Sequence, residues 1–491
     1  VSDIILRKPV RSRESPEFTA SHLISPEETM LRHVCSRVAS AVIATALPLS
    51  VGVVTGAGSG SAVAGEPQPA ITVNSAKSAV PGSRFSGSAQ IDGPFATRAD
   101  AEADGYVDEA KAGWRDLVYH AEAGSDLREG SSWEAGDRYS RMEELKVTSR
   151  AMGGREIPVV TIKARNNPES APTLYLLNGA DGGEGEANWL KRTSAVDFYG
   201  DRIGDVNVVI PMAGAYSYYT DWQEPTSSLD TDAHGVGTTQ KWETFLTQEL
   251  PGPVEKHLGT TSDRRGIIGL SMSGSTSLVY AEKYPGFYSA VGAYSGCAAT
   301  SGEFSLATQI VLNRGDATFN QMWGDPDGTV ALENDALANA DRLADQHNIY
   351  VSSATGLLGE HDVTSGDVLD GRAYEMITPL TDGFAIEAGS NVCTHLLKSA
   401  TDAHGITEAS NNLVYNIRET GTHQWAYWQD DMWESWPVIA AGLGLDVDEA
   451  RTDAAAARTE YLQANPGRGA EGSTPVSSLP SFFDAVEQAF S

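Results

Sequence analysis

The stretch GIIGLSMSGSTSLVYAEKYPGFYSAVGAYSG, residues 266–296, decides the fold. An apolar run stops at a turn of small residues, an amphipathic run follows, and a second apolar run ends it. Strand, turn, helix, strand is the repeating unit of a parallel sheet. Ser271 stands on the turn between Gly269 and Ser273. A serine there either caps the helix or serves as a nucleophile, and the second role needs partners from elsewhere in the chain.

Working outward, the same alternation recurs. RMEELKVTSRAMGGREIPVVTIKA alternates apolar and polar residues about a Gly-Gly turn and predicts a hairpin. APTLYLLNGADGG and DVNVVIPMAG read as buried strands before residue 266, and HNIYVSSATG and NNLVYNIRETG as strands after residue 296. QKWETFLTQELPGPVEKHL carries Trp242, Phe245, Leu246 and Leu250 at helical spacing. The expected class is α/β, a mostly parallel central sheet with helices on both faces.

A serine hydroxyl barely ionises at neutral pH. It needs a base within hydrogen-bond reach, a group that orients the base, and donors for the oxyanion. The α/β-hydrolase arrangement puts the serine on a strained strand-to-helix turn flanked by small residues. Gly269-Leu270-Ser271-Met272-Ser273 fits it, with Ser273 where glycine is usual and Gly274 next. One oxyanion donor is expected from the N–H of Met272. The other is expected from the strand end LLNGADGG, with Ala180 the candidate. Of ten histidines, His423 in ETGTHQWAYW follows the last strand and is the best-placed base; His361 in GEHDV competes. Glu360, Asp362 and Glu387 are candidate acids, and position alone does not choose among them. There is no HExxH and no Cys/His cluster at zinc spacing, so no metal and no cofactor is expected.

The formal charge of -31 over 491 residues argues against nucleic acid as a partner. MLRHVCSRVASAVIATALPLSVGVVTGAGSGSAVAGEP, from Met30, has a basic start, an apolar stretch and an Ala-Val-Ala cleavage site at residues 62–64. That is the pattern of a cleaved export signal. The expected organisation is an upstream segment 1–29 not belonging to the protein, a signal peptide 30–64, and an acidic N-terminal extension 65–137. A hydrolase domain 138–445 and a helical C-terminal tail 446–491 follow. TRADAEADGYVDEAKAGWRDLVYHAEAG in the extension predicts a helix, and the tail's Phe482, Phe483, Val486 and Phe490 are expected to dock on the body. Past the signal, Cys297 and Cys393 remain, and in an exported chain they read as a disulfide rather than two buried thiols.

YLLNGADGG, NVVIPMAGAYSYYTDWQEP, WETFLTQELP, GLSMSGSTSLVYAEKYPGFYSAVGAYSG and GTHQWAYW, in this order, resemble the mycolyltransferases: the antigen 85 proteins of mycobacteria and their corynebacterial relatives. The resemblance covers roughly residues 138–445. It implies an α/β-hydrolase fold with Ser271 as nucleophile, Glu387 as acid and His423 as base, and it supports Met272 and Ala180 as oxyanion donors. It also implies sugar contacts near Asn178, Asp181 and Trp425, although the family's strand-end Asp is Asn178 here and the Arg that often follows is Asp181. Trp222 matches a motif read as structural.

The activity implied is transfer of mycolic acyl chains from trehalose monomycolate to trehalose monomycolate or arabinogalactan, by an exported monomer at a mycolate-containing cell envelope. Two other readings remain: a secreted carboxylesterase with the same triad, and a non-catalytic cell-wall binder on this scaffold.

Overall fold

The structure is a computed structural model that describes residues 87–119, 141–229, 239–362 and 373–464. All of them belong to one compact unit, residues 67–491. The signal, the upstream segment and the phenylalanine-bearing end of the tail lie outside the described residues.

A nine-stranded sheet forms the centre, in the order β1-β2-β3-β5-β4-β6-β7-β8-β9. The strands are β1 Gln90–Asp92, β2 Met142–Ser149, β3 Arg155–Ile162, β4 Thr173–Leu176, β5 Asn207–Pro211, β6 Arg265–Leu270, β7 Ala290–Tyr294, β8 Ile349–Ala354 and β9 Leu413–Arg418. The first three pair antiparallel, β3 pairs antiparallel with β5, and every pairing from β5 to β9 is parallel. Strands β3 to β8 are buried along nearly their whole length. Continuous apolar runs such as VNVVIP and IIGL are what a sheet covered on both faces requires. Two clusters of buried apolar side chains lie against it, one around Trp242, Tyr219 and Met322, the other around Trp189, Trp433 and Trp436.

The helices used below are α1 Arg98–Asp104, α2 Pro251–Leu258, α3 Met272–Lys283, α4 Ala373–Ala403, α5 Trp425–Glu434, α6 Trp436–Leu443 and α7 Val447–Ala464. The fold is the expected α/β-hydrolase type. Four local expectations change. The stretch 98–119 is not one helix but three short helical pieces. Gly105 ends α1 in the left-handed region at φ 70°, and Asp108 caps the next turn with its own carboxylate. Nor does that part of the extension stand apart: β1 adds to the sheet edge, and Ala101, Tyr106 and Trp114 are buried. The helix over residues 242–258 is broken by wide turns at Phe245–Glu249, where the Leu250 N–H reaches back five residues to Phe245 O. Pro251 and Pro253, which lack donors, follow at once. Finally, the helix leading to Cys393, whose head the sequence suggests at Glu387, begins already at Ala373.

Candidate active site

The turn after β6 holds Ser271 at φ 55° and ψ −121°, a backbone state that side chains other than glycine rarely adopt. Close packing enforces it. A Cβ on Gly269 would stand 2.2 Å from Ser273 O, and one on Gly296 would stand 2.6 Å from the backbone of Gly274. Ser273 serves where glycine is usual because its hydroxyl is used: Oγ accepts the Leu270 N–H at 2.9 Å and faces Leu177 O at 3.2 Å. Ser271 itself makes no capping bond, and its hydroxyl meets His423 instead.

His423 lies on the loop between β9 and α5. Its Nε2 is 2.7 Å from Ser271 Oγ and its Nδ1 is 2.7 Å from Glu387 Oε2. The ring stands edge-on to Trp428 at 4.9 Å, and its backbone N–H donates to Gly383 O at 3.2 Å. Glu387 is fully buried on α4. Its other oxygen accepts from Ser295 Oγ at 2.9 Å and from the Ala354 N–H at 2.6 Å, and Trp428 Nε1 donates to Ser295 Oγ at 3.1 Å. Four elements therefore meet on one carboxylate. A disulfide joins Cys297, just beyond Ser295, to Cys393 on the Glu387 helix.

The competing candidates lie elsewhere. His361 is buried against Tyr427, with Nε2 2.7 Å from Asp430. Asp362 accepts from Tyr427 Oη at 2.6 Å, from the Gly359 N–H at 2.8 Å and from Thr422 Oγ1, so it braces the loop next to His423 rather than His423 itself. Glu360, His361 and Asp430 are close enough together to hold a metal ion. Arg458 of α7 already stands 3.5 Å from Glu360 and 3.4 Å from Asp430 and supplies positive charge there.

Of the expected oxyanion donors, Met272 opens α3 directly after Ser271. Ala180 follows Gly179, on which a Cβ would stand 3.8 Å from the Ser271 Cβ. The Ala180 carbonyl accepts the Tyr216 N–H at 2.6 Å, which fixes the turn of the loop. Tyr218 N–H rests on Met272 Sδ at 3.3 Å.

Asn178 is fully buried: Nδ2 donates to Pro211 O at 3.0 Å and Oδ1 accepts the Trp189 N–H at 3.2 Å. It ties two loops together, because an amide can satisfy a donor and an acceptor at once where a carboxylate cannot. Asp181 is half-buried, and burial pushes its carboxyl up to about 6, against the opposing pull of the Gly183 N–H and Arg192. Trp425 is half-buried, edge-on to Trp189 and Trp428. Trp222 is buried, its Nε1 donating to Ser217 O at 2.9 Å.

Sequence reasoning missed Ser295, Ala354, Trp428 and Thr422. Only Trp428 left a signal, three residues after Trp425 on a helix whose face turns toward His423. Among the described residues no helix is long and apolar enough to cross a membrane.

A family model described as "Putative esterase" matches residues 149–437. The diacylglycerol acyltransferase/mycolyltransferase Ag85A of Mycobacterium ulcerans is 29% identical over 318 residues, covering 64% of this chain and 85% of that protein. Ag85A of Mycobacterium bovis is 30% identical over 307 residues, covering 62% and 82% respectively. Among solved structures, Mycobacterium tuberculosis MPT51 (FbpC1) is similar at 22% identity and a TM-score of 0.47, over 61% of this chain and 98% of that one.

Proposed function

We propose, of a chain that belongs to the esterase family and within it to the mycolyltransferases, that this acyltransferase works through a mycoyl-serine intermediate on Ser271. The observation that carries the reading is the unbroken line from Ser271 Oγ through His423 to Glu387, with 2.7 Å at each link. A hydroxyl, an imidazole and a buried carboxylate in that order are the parts of nucleophilic acyl transfer.

In the reaction, His423 Nε2 takes the proton of Ser271 as Oγ attacks the ester carbonyl of trehalose monomycolate. The tetrahedral oxyanion is held by the N–H groups of Met272 and Ala180. The intermediate collapses, the C–O bond to trehalose breaks, and His423 returns the proton to the departing alkoxide. An acceptor hydroxyl, on a second trehalose monomycolate or on arabinogalactan, then loses its proton to His423 and attacks the acyl-serine, and Ser271 regains the proton. Glu387 keeps the Nδ1–H tautomer and stabilises the imidazolium that forms in both halves. A positioned base contributes roughly 10²–10⁴-fold. The basic start, apolar stretch and Ala-Val-Ala site of residues 30–64 support export to the envelope, where such substrates reside.

The test is incubation of the purified protein with trehalose monomycolate beside a Ser271→Ala control, scoring trehalose, trehalose dimycolate and free mycolic acid by mass spectrometry. Dimycolate from the wild type and none from the control is expected. Free acid without dimycolate would replace the transferase with a hydrolase, and no turnover would remove the reading.

A further inference from the structure

The N-terminal extension lies outside the residues that the family model matches, yet it touches the loop that carries the proposed oxyanion donor. Lys111 O accepts the Gly185 N–H at 2.9 Å. Lys111 Nζ stands 3.2 Å from Glu184. From the other side Lys191 Nζ donates to Gly113 O at 3.1 Å and pairs with Glu186 at 2.6 Å. The seam is tight: a Cβ on Gly113 would stand 2.6 Å from Glu186 Oε1.

The extension is itself firmly held. Trp114 is fully buried beside the Trp189 cluster. Arg115 is fully buried and paired with the equally buried Glu144 on β2 at 2.5 Å, and Tyr106 donates to the same carboxylate at 2.7 Å. Removing one member of such a pair would strand a buried charge, so the contact surface it presents to residues 184–186 is fixed.

The loop 178–186 is thus gripped at two points. At its start, Tyr216 N–H holds Ala180 O, and Gly182 is pressed on the backbone of residues 213–215. Tyr216, Tyr218 and Tyr219 all have positive φ, at 56°, 54° and 47°. Such strain persists only where the surroundings over-determine the backbone. At its far end, Asn188 Nδ2 donates to Gly185 O at 2.9 Å and Arg192 Nε to Glu186 O at 3.0 Å, and the extension adds its own grip on the Gly185 N–H and on the side chains of Glu184 and Glu186.

We propose that residues 108–114 of the extension, through Lys111 and Gly113, are a positioning element for the oxyanion hole. By fixing residues 184–186 they hold the Ala180 N–H on the point where the tetrahedral oxygen forms. The proposal rests on the reading of Ser271 as nucleophile and Ala180 as donor. Lys111 and Lys191 act through the loop and touch no reacting atom. Because both half-reactions pass through the same oxyanion, acylation and deacylation share the dependence.

The test uses the full chain and the double variant K111M/K191M, which cuts the side-chain ties on both sides of the seam while leaving Trp114 and Arg115 in place. The substrate is a p-nitrophenyl ester, with a p-nitrophenyl phosphonate as the tetrahedral probe. A misplaced donor should lower kcat about tenfold, less than the 10²–10³ lost when a donor is removed outright. KM should stay within about twofold, since the donors bind the transition state more than the ester. Phosphonate inactivation should slow by the same factor as kcat, and K111R/K191R should recover most of the rate. Arg451→Met, which cuts an exposed ion pair with Asp448 on α7 away from the seam, controls for the loss of a surface cation and should leave kcat unchanged. A double variant with wild-type kcat, one whose KM alone rises, or one whose phosphonate rate does not follow kcat would overturn the proposal. A wild type that neither turns over the ester nor reacts with the phosphonate would overturn the nucleophile reading, and the clamp with it.

Discussion

Glu387 Oε1 accepts the backbone N–H of Ala354 at 2.6 Å, so the acid is fixed by the end of β8 as well as by its own helix. A carboxylate has acceptor capacity on both oxygens, and here one faces the backbone and Ser295 while the other faces His423. Glu387→Gln keeps the shape but turns an amide NH₂ toward either a backbone donor or the imidazole, and both orientations are wrong for it. The expected loss in kcat is on the order of 10²–10⁴-fold, as when the acid of a triad is neutralised. Steady-state kinetics with an unchanged near-UV circular dichroism spectrum checks it; a loss below fivefold would remove Glu387 from the line.

Ser271 is held at φ 55°, a conformation that stores roughly 1–3 kcal/mol in a non-glycine residue. Ser271→Gly should therefore abolish activity and raise stability by about 1 kcal/mol or more, with Ser271→Ala the comparison that removes the hydroxyl but keeps the strain. Thermal unfolding of the three proteins decides it. Equal melting temperatures for the Gly and Ala variants would show that the turn is not strained.

Asp181 follows the proposed donor Ala180, and burial raises its carboxyl to about 6. The sign is that of an acid whose folded pKa exceeds its unfolded one. The folded state is favoured in full below the unfolded value near 4, and that contribution is lost as pH rises through about 6. Asp181→Asn should thus leave stability unchanged at pH 4 and increase it at pH 8. An ionised Asp181 beside a forming oxyanion also opposes it, so the variant's kcat should exceed the wild type's above pH 7 and match it at pH 5. Parallel pH–rate profiles for the two proteins would sink the electrostatic part.

Much of this was legible in sequence, and the reasons are physical. The runs that became β4 to β8 are apolar because both faces of the sheet are covered there, and the small residues around Ser271 are dictated by backbone contacts under 3 Å. What stayed hidden was set by side chains far apart in the chain. Ser295 and Ala354 matter only because β7 and β8 end beside α4. Asn178 is a buried tie whose partners, Pro211 and Trp189, no local pattern announces. The broken helix at 98–119 was misread because Gly105 and Asp108 outweighed an alanine-rich composition.

The disulfide between Cys297 and Cys393 closes a separation of 96 residues and ties the loop after β7 to the helix of Glu387. Restricting the unfolded chain over a loop of that length is worth up to about 4–5 kcal/mol. Cys297→Ala with Cys393→Ala should lower stability by roughly 2–5 kcal/mol. Urea unfolding of the double variant against the oxidised wild type measures it. Reduced wild type should unfold at the midpoint of the variant, and an unchanged midpoint in both would show that the bridge does not support the folded state.

Glu282 lies on α3, eleven residues after the nucleophile, almost wholly buried and with neither carboxylate oxygen hydrogen-bonded. Burial drives its pKa well above the usual range, opposed mainly by Arg342. The folded protein therefore keeps Glu282 neutral at a pH where the unfolded chain would ionise it. Stability from this group is present in full below the unfolded pKa and falls as pH rises toward the folded one. Glu282→Gln is neutral at every pH and escapes that penalty. It should match the wild type at pH 4 and be more stable than it at pH 8, since only the wild type must hold a carboxyl protonated above its normal pKa. Urea unfolding at the two pH values separates this from packing, because a change in shape alone would shift both midpoints equally.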